Sequence, residues 1–536
     1  MKNFSELTPE ELNRMNKKSL ILIIGSLQEQ LTTISNQLNF LTEQIALMNQ
    51  RRFGRKTERA DQISNQLTLF DYETETFNEP EVLSDDSPEP DITEVIVSSY
   101  TRKNKTTREE KLEGLPARII DHELTEEELA EKFPNGYKEL PPEIYKRLSI
   151  IPQTFIVDEH HVHVYASADN DGTMAKGKRP PDVFRNCIAT PALLATIITG
   201  KYASHLPLER QVKAFKESGA DLETNTVANW MIKTSDVYLS IMFDVFHEQL
   251  KDANVIHADE TPFEVIMDGR KAGAESRMWV YRNGKCDSDK PIVLFDYQPT
   301  RRTDHPKEFL KGYSGFLVTD GYQVYHTLEK QQKGLKVAGC WVHAKRKFAD
   351  IFKACGDNGI DGTIAIEATK RISDICHRDN KFDDLTRVQR KKQRQSALKP
   401  KVDDFFAWAK SVINDLPSGC ETAKALQYCI NQEKFLRVFL TNGDVPMDNN
   451  LAEQAIRPFT LGRKNWVNMF STKGAHASAV LYSIVETAKA TKLRVRDYIE
   501  FLIDELVKHS DDTDREFIED LLPWSKHVQS KFKSYK

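Results

Sequence analysis

No stretch of this 536-residue chain stays apolar for long: the longest such runs, 20–24 and 192–198, fall far short of the roughly 20 residues a bilayer-spanning helix needs. The N-terminus also lacks the charged, apolar and small-residue succession of a signal peptide. These two absences predict a cytoplasmic protein with no membrane partner. Cysteine is scarce as well. Its seven positions (187, 286, 340, 355, 376, 420 and 429) are odd in number and include no CxxC pair, which argues against a disulfide framework or a four-cysteine zinc site. Residues 61–100 lack positive charge altogether. They carry 11 acidic residues and prolines at 80, 88 and 90, the composition of a disordered acidic linker. The whole chain has 75 Lys+Arg against 80 Asp+Glu, a charge of −5, but outside this segment the balance is 75 against 69, or +6. The net charge therefore hides a basic body. With 39% hydrophobic residues that body can bury ordinary cores, about three or four domains at ~100–200 residues each.

Leu20, Ile24, Leu27, Leu31, Ile34, Leu38, Leu41, Ile45 and Met48 alternate steps of four and three, an a/d heptad seam with Gln, Asn, Ser and Thr between. So narrow a stripe is best buried against a second copy of itself, which predicts self-association through a coiled coil; packing on its own domain is the alternative. Directly after it, RRFGRKTER places Arg51, Arg52, Arg55 and Lys56 where they could meet phosphates or form a solvated helix end. Alternation over 154–165 suggests a strand with His161 and His163 on one face, more in keeping with surface residues than with a metal site. Residues 205–235 read as a helix, a turn around 220–222 and a second helix capped by Thr224 or Asn225. This is helix-turn-helix grammar, shared with plain helical hairpins.

Short β-rich runs follow at 255–259, 278–281, 292–297 and 316–319, with a helix-like stretch near 307–311, which suggests a mixed sheet with helical cover. Asp259 in HADETP and Asp320 in VTDGY are expected just beyond strand ends. Glu453 in MDNNLAEQAIRPF is expected on the first turn of a helix capped by Asn449 or Asn450. Three such carboxylates are hard oxygen ligands suited to Mg²⁺, and a pair of ions about 3.5–4 Å apart would clamp the attacking and leaving oxygens of an in-line displacement at phosphorus. Groups fitted to a polyanion surround them: His257; His343, Lys345, Arg346 and Lys347 in CWVHAKRKF; and Arg457, Arg463, Lys464 and Trp466 after Glu453. The cations would neutralise phosphates, and Trp466 would either stack on an unpaired base or belong to the core. Cys340 and His343 form a C-x2-H pair without two further zinc ligands. Residues 387–401 hold seven basic residues and no acidic one, a DNA-backbone contact or a solvated loop.

HADETP, VTDGYQVY, CWVHAKRKF, NNLAEQAIRPFTLGRKNW and the closing LLPWSK occur in that order across nearly the whole chain. In these motifs, and in the N-terminal zipper-like helix, RRFGRKTER and GKYASHLPLERQ, the sequence resembles the insertion sequence 66 family of DDE transposases. The resemblance implies an α/β, RNase H-like catalytic core with a helical insertion, preceded by an N-terminal coiled coil and a mostly helical DNA-binding region. It also implies Mg²⁺ or Mn²⁺, two ions, and a catalytic, metal-binding triad on Asp259, Asp320 and Glu453; zinc is not expected, for want of cysteines in 97–186.

The corresponding organisation is a coiled coil with a basic end (1–60), the acidic linker (61–100), a small mixed domain (101–186) and a helical region with a possible helix-turn-helix (187–250). Then come the first part of the core (251–346), the insertion (347–440), the glutamate helix (441–490) and a helical tail (491–536). One departure stands out: where the family commonly has a cysteine-rich zinc module, residues 97–186 contain no cysteine. The implied activity is metal-dependent cleavage and strand transfer of double-stranded DNA at the ends of an insertion sequence, with target DNA and small accessory proteins as further partners. Competing readings are a catalytically inactive transposase-derived DNA-binding protein and a coiled-coil scaffold.

Overall fold

A computed structural model of the chain describes residues 174–534 apart from 272, 356–362, 418, 511 and 513–514, together with 153–166 and scattered positions before these. Of the N-terminal seam, Leu20, Ile24, Leu27 and Ile34 are described and helical, the last three exposed. The rest of the seam, the linker, and Arg51, Arg52, Arg55 and Lys56 lie outside the described residues. One compact unit holds 160–217 and 221–534. No helix among the described residues is long and apolar enough to cross a membrane.

The strand expected over 154–165 is confined to β1 (Val164–Ala166), which pairs antiparallel with β2 (Met174–Lys176). His161 and His163 are exposed in the coil before it. Helix α1 (Pro191–Tyr202) starts where a helix should, with Thr190 accepting from the Leu193 amide and proline in the first turn. Helices α2 (Leu208–Glu217) and α3 (Thr224–Thr234) occupy the helix-turn-helix segment. Thr224 is the first helical residue and not the cap; Glu223 holds the cap position, without a side-chain cap bond. The second helix is also not short. Through a π turn, Ser235–Leu239, it runs on into α4 (Ser240–Leu250). It buries Val227, Trp230, Met231 and Thr234 and leaves Asn225, Thr226, Asn229 and Lys233 exposed.

The sheet begins with a meander, β3 (Val255–Met267), β4 (Glu275–Asn283) and β5 (Val293–Gln298), all antiparallel. After α5 (Asp304–Phe309), β6 (Phe316–Thr319) joins β3 in parallel. After α6 (Gln323–Gln331), β7 (Lys336–Gly339) joins β6 in parallel. The order is β5-β4-β3-β6-β7. Successive side chains alternate between the two faces. Trp279 and Tyr281 meet Tyr325 of α6 and Phe309 of α5 on one face, whereas Phe263 meets Phe459 on the other.

Between β7 and the glutamate helix come α7 (Trp341–Cys355), α8 (Ile364–Asn380), α9 (Arg387–Gln393), α10 (Lys399–Val412) and α11 (Glu421–Asn431). All but α9 share a core in which Trp341, Ala344 and Phe348 meet Ile372, Phe405, Phe406 and Leu426. Arg394, within the basic run 387–401, is stapled into this core. It pairs with Asp379 at 2.7 Å through two nitrogens and donates to the carbonyls of Phe439, Asn442 and Val445 at 2.8–3.0 Å. A fully buried guanidinium cannot also face DNA, so the run is not one uniform basic surface; Arg387, Lys391, Lys392 and Lys399 are exposed, with Arg387 paired to Asp444 and Lys399 to Asp403.

The chain returns to the sheet with α12 (Asn450–Trp466), β8 (Met469–Ser471), which pairs parallel with the far end of β3, and α13 (Thr472–Ala490). Edge strands expose unpaired amides, and α13 satisfies those of β5: Ser483 and Thr487 accept from Phe295 and Val293 at 2.8 and 3.0 Å. Helix α14 (Val495–Lys508) packs against α1 and α13.

Candidate active site

Asp259 is not at the end of its strand, because β3 continues to Met267 and its pairing with β4 extends to Glu264. The parallel neighbour is what stops: β6 pairs with β3 only as far as His257 opposite Val318. Counting two residues on from that pair reaches Asp259 on β3 and Asp320 immediately after β6. The two aspartates therefore occupy equivalent register positions where the sheet opens, and Asp259 faces the α12 side. The turn after β6 is fixed. Asp320 Oδ1 accepts from the Tyr322 amide at 3.0 Å, and the Asp320 carbonyl accepts from Tyr428 Oη at 2.8 Å. Between them Gly321 sits at φ +89°, where a Cβ would come within 2.7 Å of Tyr428 Oη.

Glu453 lies on the first turn of α12 as expected, but the cap differs. Asn449 makes no side-chain cap bond; the Asn450 amide is taken by Asp448 Oδ1 at 2.9 Å. The fully buried Asn449 side chain instead reaches β3, donating to the Ala258 carbonyl at 2.9 Å and meeting His257 Nδ1 at 3.0 Å. It pins the start of the glutamate helix to the residues either side of Ala258, next to Asp259. The Trp341 amide donates to the Met447 carbonyl at 2.8 Å, which ties the start of α7 to the same segment. Arg346 of α7 then forks Glu453, with nitrogen–oxygen distances of 3.1 and 2.7 Å, and His343 Nδ1 lies 3.6 Å from Glu453 Oε1.

The electrostatics show how closely the acids gather. Burial, then the charges of Glu260, Asp320 and Glu453, push the Asp259 carboxyl up to about 7, against the opposing pull of the Glu260 amide at 2.9 Å. Burial and Asp320 push Glu260 up as well, with Arg301 opposing. His257 is pushed down to about 4, chiefly by burial, and so is neutral. Burial also lowers His343, with Glu453 raising it and Arg346 lowering it. Among the described residues no three His, Cys, Asp or Glu side chains close on a single point to hold an ion. By donor chemistry the carboxylates still suit a hard divalent cation, whose charge would offset the burial and the repulsion that raise Asp259. Cys340 of the C-x2-H pair is buried, its thiol pushed up to about 12 by burial.

The anticipated DNA contacts divide. Lys347 and Arg346 are exposed near the acids, Lys347 over the Tyr428 ring at 5.0 Å. Lys345 is half-buried on the other side of α7, near Cys376. Arg457 and Lys464 are exposed on α12, and Arg463 reaches Thr261 Oγ1 on β3 at 3.3 Å. Trp466 is half-buried against Tyr482, over Gly462, where a Cβ would come within 2.1 Å of the indole.

Two functional candidates were not singled out from the sequence. Glu260, on the opposite face of β3 from Asp259, pairs with Arg301, whose guanidinium lies 3.6 Å over the Tyr322 ring. This links Glu260 to the turn that holds Asp320. The doublet of acids in HADETP was the available signal, because strand alternation sends its two carboxylates to opposite faces.

Comparison with known proteins gives a match to the family described as "Transposase IS66 family" over residues 186–477, and to "Transposase C of IS166 homeodomain" over 40–120. Three proteins of Sinorhizobium fredii (strain NBRC 101917 / NGR234), each titled uncharacterized, are similar. The protein y4qI is 28% identical over 71% of this chain and 70% of its own length, and y4hP is 31% identical over 62% of each. The third, y4jD, is 26% identical over 70% of this chain and 74% of its own length.

Proposed function

This chain belongs to the transposase IS66 family, and we propose that it is a DDE-type member with an RNase H-like core, cutting and joining DNA at the ends of an insertion sequence. The observation that carries this reading is the equivalent position of Asp259 on β3 and of Asp320 just past the end of the parallel β6, with the Glu453 helix pinned beside them through Asn449. The strand order, an antiparallel meander with two parallel strands added beyond β3, supports the RNase H-like assignment.

In this reading a divalent ion, Mg²⁺ or Mn²⁺, held by the three carboxylates supplies Lewis acidity toward the scissile phosphate. The chain's own residues do the rest. Gly321, Tyr322 and Tyr428 fix the Asp320 turn, Asn449 sets the distance of the glutamate helix from β3, and neutral His257 holds Asn449 without adding charge. Arg346, Lys347, Arg457 and Lys464 offer cations to the DNA backbone, and the exposed first turns of α3 offer polar side chains to a groove. The N-terminal seam would pair protomers so that two element ends are held together; small accessory proteins and a cytoplasmic setting belong to the same proposal.

Purified protein with Mg²⁺ or Mn²⁺ and a labelled duplex copied from the inverted repeats flanking the gene should nick or join that DNA. Asp320→Asn should abolish the reaction and leave binding intact. Unchanged activity in Asp259→Asn, Asp320→Asn and Glu453→Gln overturns the assignment.

A further inference from the structure

The geometry of Glu453 raises a question that the triad alone does not answer. Both of its carboxylate oxygens are engaged by one guanidinium, that of Arg346, at 3.1 and 2.7 Å. A carboxylate forked in this way has one lone pair of each oxygen taken and its charge already matched while the fork is closed, which weakens it as a ligand. Yet the pair is not built as a structural staple: the Arg346 side chain is 52% exposed and Glu453 24%. Arg346 is also exposed next to Lys347, likewise exposed, beside the clustered acids. A phosphodiester presents two non-bridging oxygens to a guanidinium in the same planar, two-pronged arrangement as a carboxylate.

We propose that Arg346 is an exchangeable clamp, holding Glu453 while no DNA is present and transferring its fork to a backbone phosphate when DNA enters. This frees Glu453 to complete the metal site. The inference rests on the metal-centre reading above and adds to it a coupling: DNA and the divalent ion each favour the binding of the other, because both favour the open fork, and such coupling is reciprocal. No bond is made or broken in the exchange; one charge-assisted pair replaces another. Arg346 is in this account a positioning residue for Glu453 and a phosphate contact, with α7 held in place by the Trp341 amide on Met447 and by Trp341 Nε1 on the Leu436 carbonyl at 2.9 Å.

The test needs no turnover. Mn²⁺ binding to the full chain without DNA is measured from the free-ion resonance signal, and duplex binding is measured in EDTA over a range of salt. Arg346→Ala should bind Mn²⁺ more tightly than the parent, on the order of fivefold or more, the lower range of couplings between sites. That gain should vanish in a Glu453→Gln background, which separates release of the carboxylate from simple removal of a positive charge. In EDTA the same variant should lower the slope of log affinity against log salt by about 0.9, the loss of one phosphate contact. Arg346→Lys, which keeps the charge without the fork, should retain the salt slope and fall between parent and Arg346→Ala in Mn²⁺ affinity. If Glu453→Gln weakens Mn²⁺ binding but Arg346→Ala leaves it unchanged, the clamp is overturned and the metal centre stands. If Mn²⁺ binding ignores Asp259, Asp320 and Glu453 alike, the metal-centre reading itself falls.

Discussion

The helical insertion and the cluster of acids around Asp259 each contain an arginine forked onto a carboxylate from another helix, side-on through Nε and Nη2 in Arg394 and end-on through Nη1 and Nη2 in Arg346. Arg394 meets Asp379 at 2.7 Å through both nitrogens, and Arg346 meets Glu453 at 3.1 and 2.7 Å. Their surroundings differ. The Arg394 pair is 1% and 9% exposed and is backed by backbone carbonyls of the segment leading to α12, whereas the Arg346 pair is 52% and 24% exposed and has no such backing among the described residues. Burial makes the first pair costly to break, because either partner left alone is a charge removed from water. Water and neighbouring acids make the second cheap to open. The same contact thus holds the fold together in one region and keeps a site closed in the other.

Breaking the buried pair should have the largest effect. Asp379→Ala leaves Arg394 with carbonyls but no counter-charge, and unfolding in denaturant should show a loss of about 3–5 kcal/mol. A loss below about 1 kcal/mol would put the two pairs in one class. Asn449→Ala comes next: it removes the bonds to Ala258 and His257 and leaves buried partners unmatched, for about 1–3 kcal/mol. Because the start of the glutamate helix is then loose, DNA cleavage should fall more than DNA binding, measured side by side on one duplex.

The cluster of acids should also betray itself through pH. Asp259 is raised to about 7 in the folded chain, so between its ordinary value near 3.8 and about 7 the folded state holds a proton that the unfolded state has lost. Stability from this group is therefore lost as pH rises through that window. Asp259→Asn should flatten this part of the dependence of Tm on pH in EDTA, while the buried Asp296, raised likewise to about 7 by burial, should leave a residual slope of the same sign. A variant whose Tm tracks the parent across the window would show that the cluster does not hold its protons this way. The smallest effect is expected at the exposed fork, where Arg346→Ala should change unfolding free energy by less than about 1 kcal/mol.

Much of this arrangement is legible in the sequence. The run 316–319 coincides with β6, Asp320 follows it directly, and Glu453 stands on the first turn of its helix. What one sequence does not reveal is where a partner strand stops. Asp259 lies mid-strand and still borders open space, because β6 ends its pairing two residues earlier. For the same reason β7 went unread: KVAG is too short and too poor in β-branched residues to announce itself, and only its parallel alignment with β6 makes it a strand. Asn449 was legible as a helix-start residue but not as a bridge to β3, since its partners are some 190 positions away. Within the basic run 387–401 the burial of Arg394 was equally hidden, because it finds Asp379 and the carbonyls near Val445 only after the insertion has folded.

The central claim, that the clustered carboxylates ligate a catalytic divalent ion, is tested most directly by changing the ligand and not merely deleting it. In Asp320→Cys a thiolate replaces a hard oxygen, which suits Mn²⁺ far better than Mg²⁺. Cleavage of the terminal-repeat duplex by this variant should be lost with Mg²⁺ and substantially restored with Mn²⁺, while the parent works with both. Equal loss with the two ions, in a variant that folds and binds DNA as the parent does, would contradict the account.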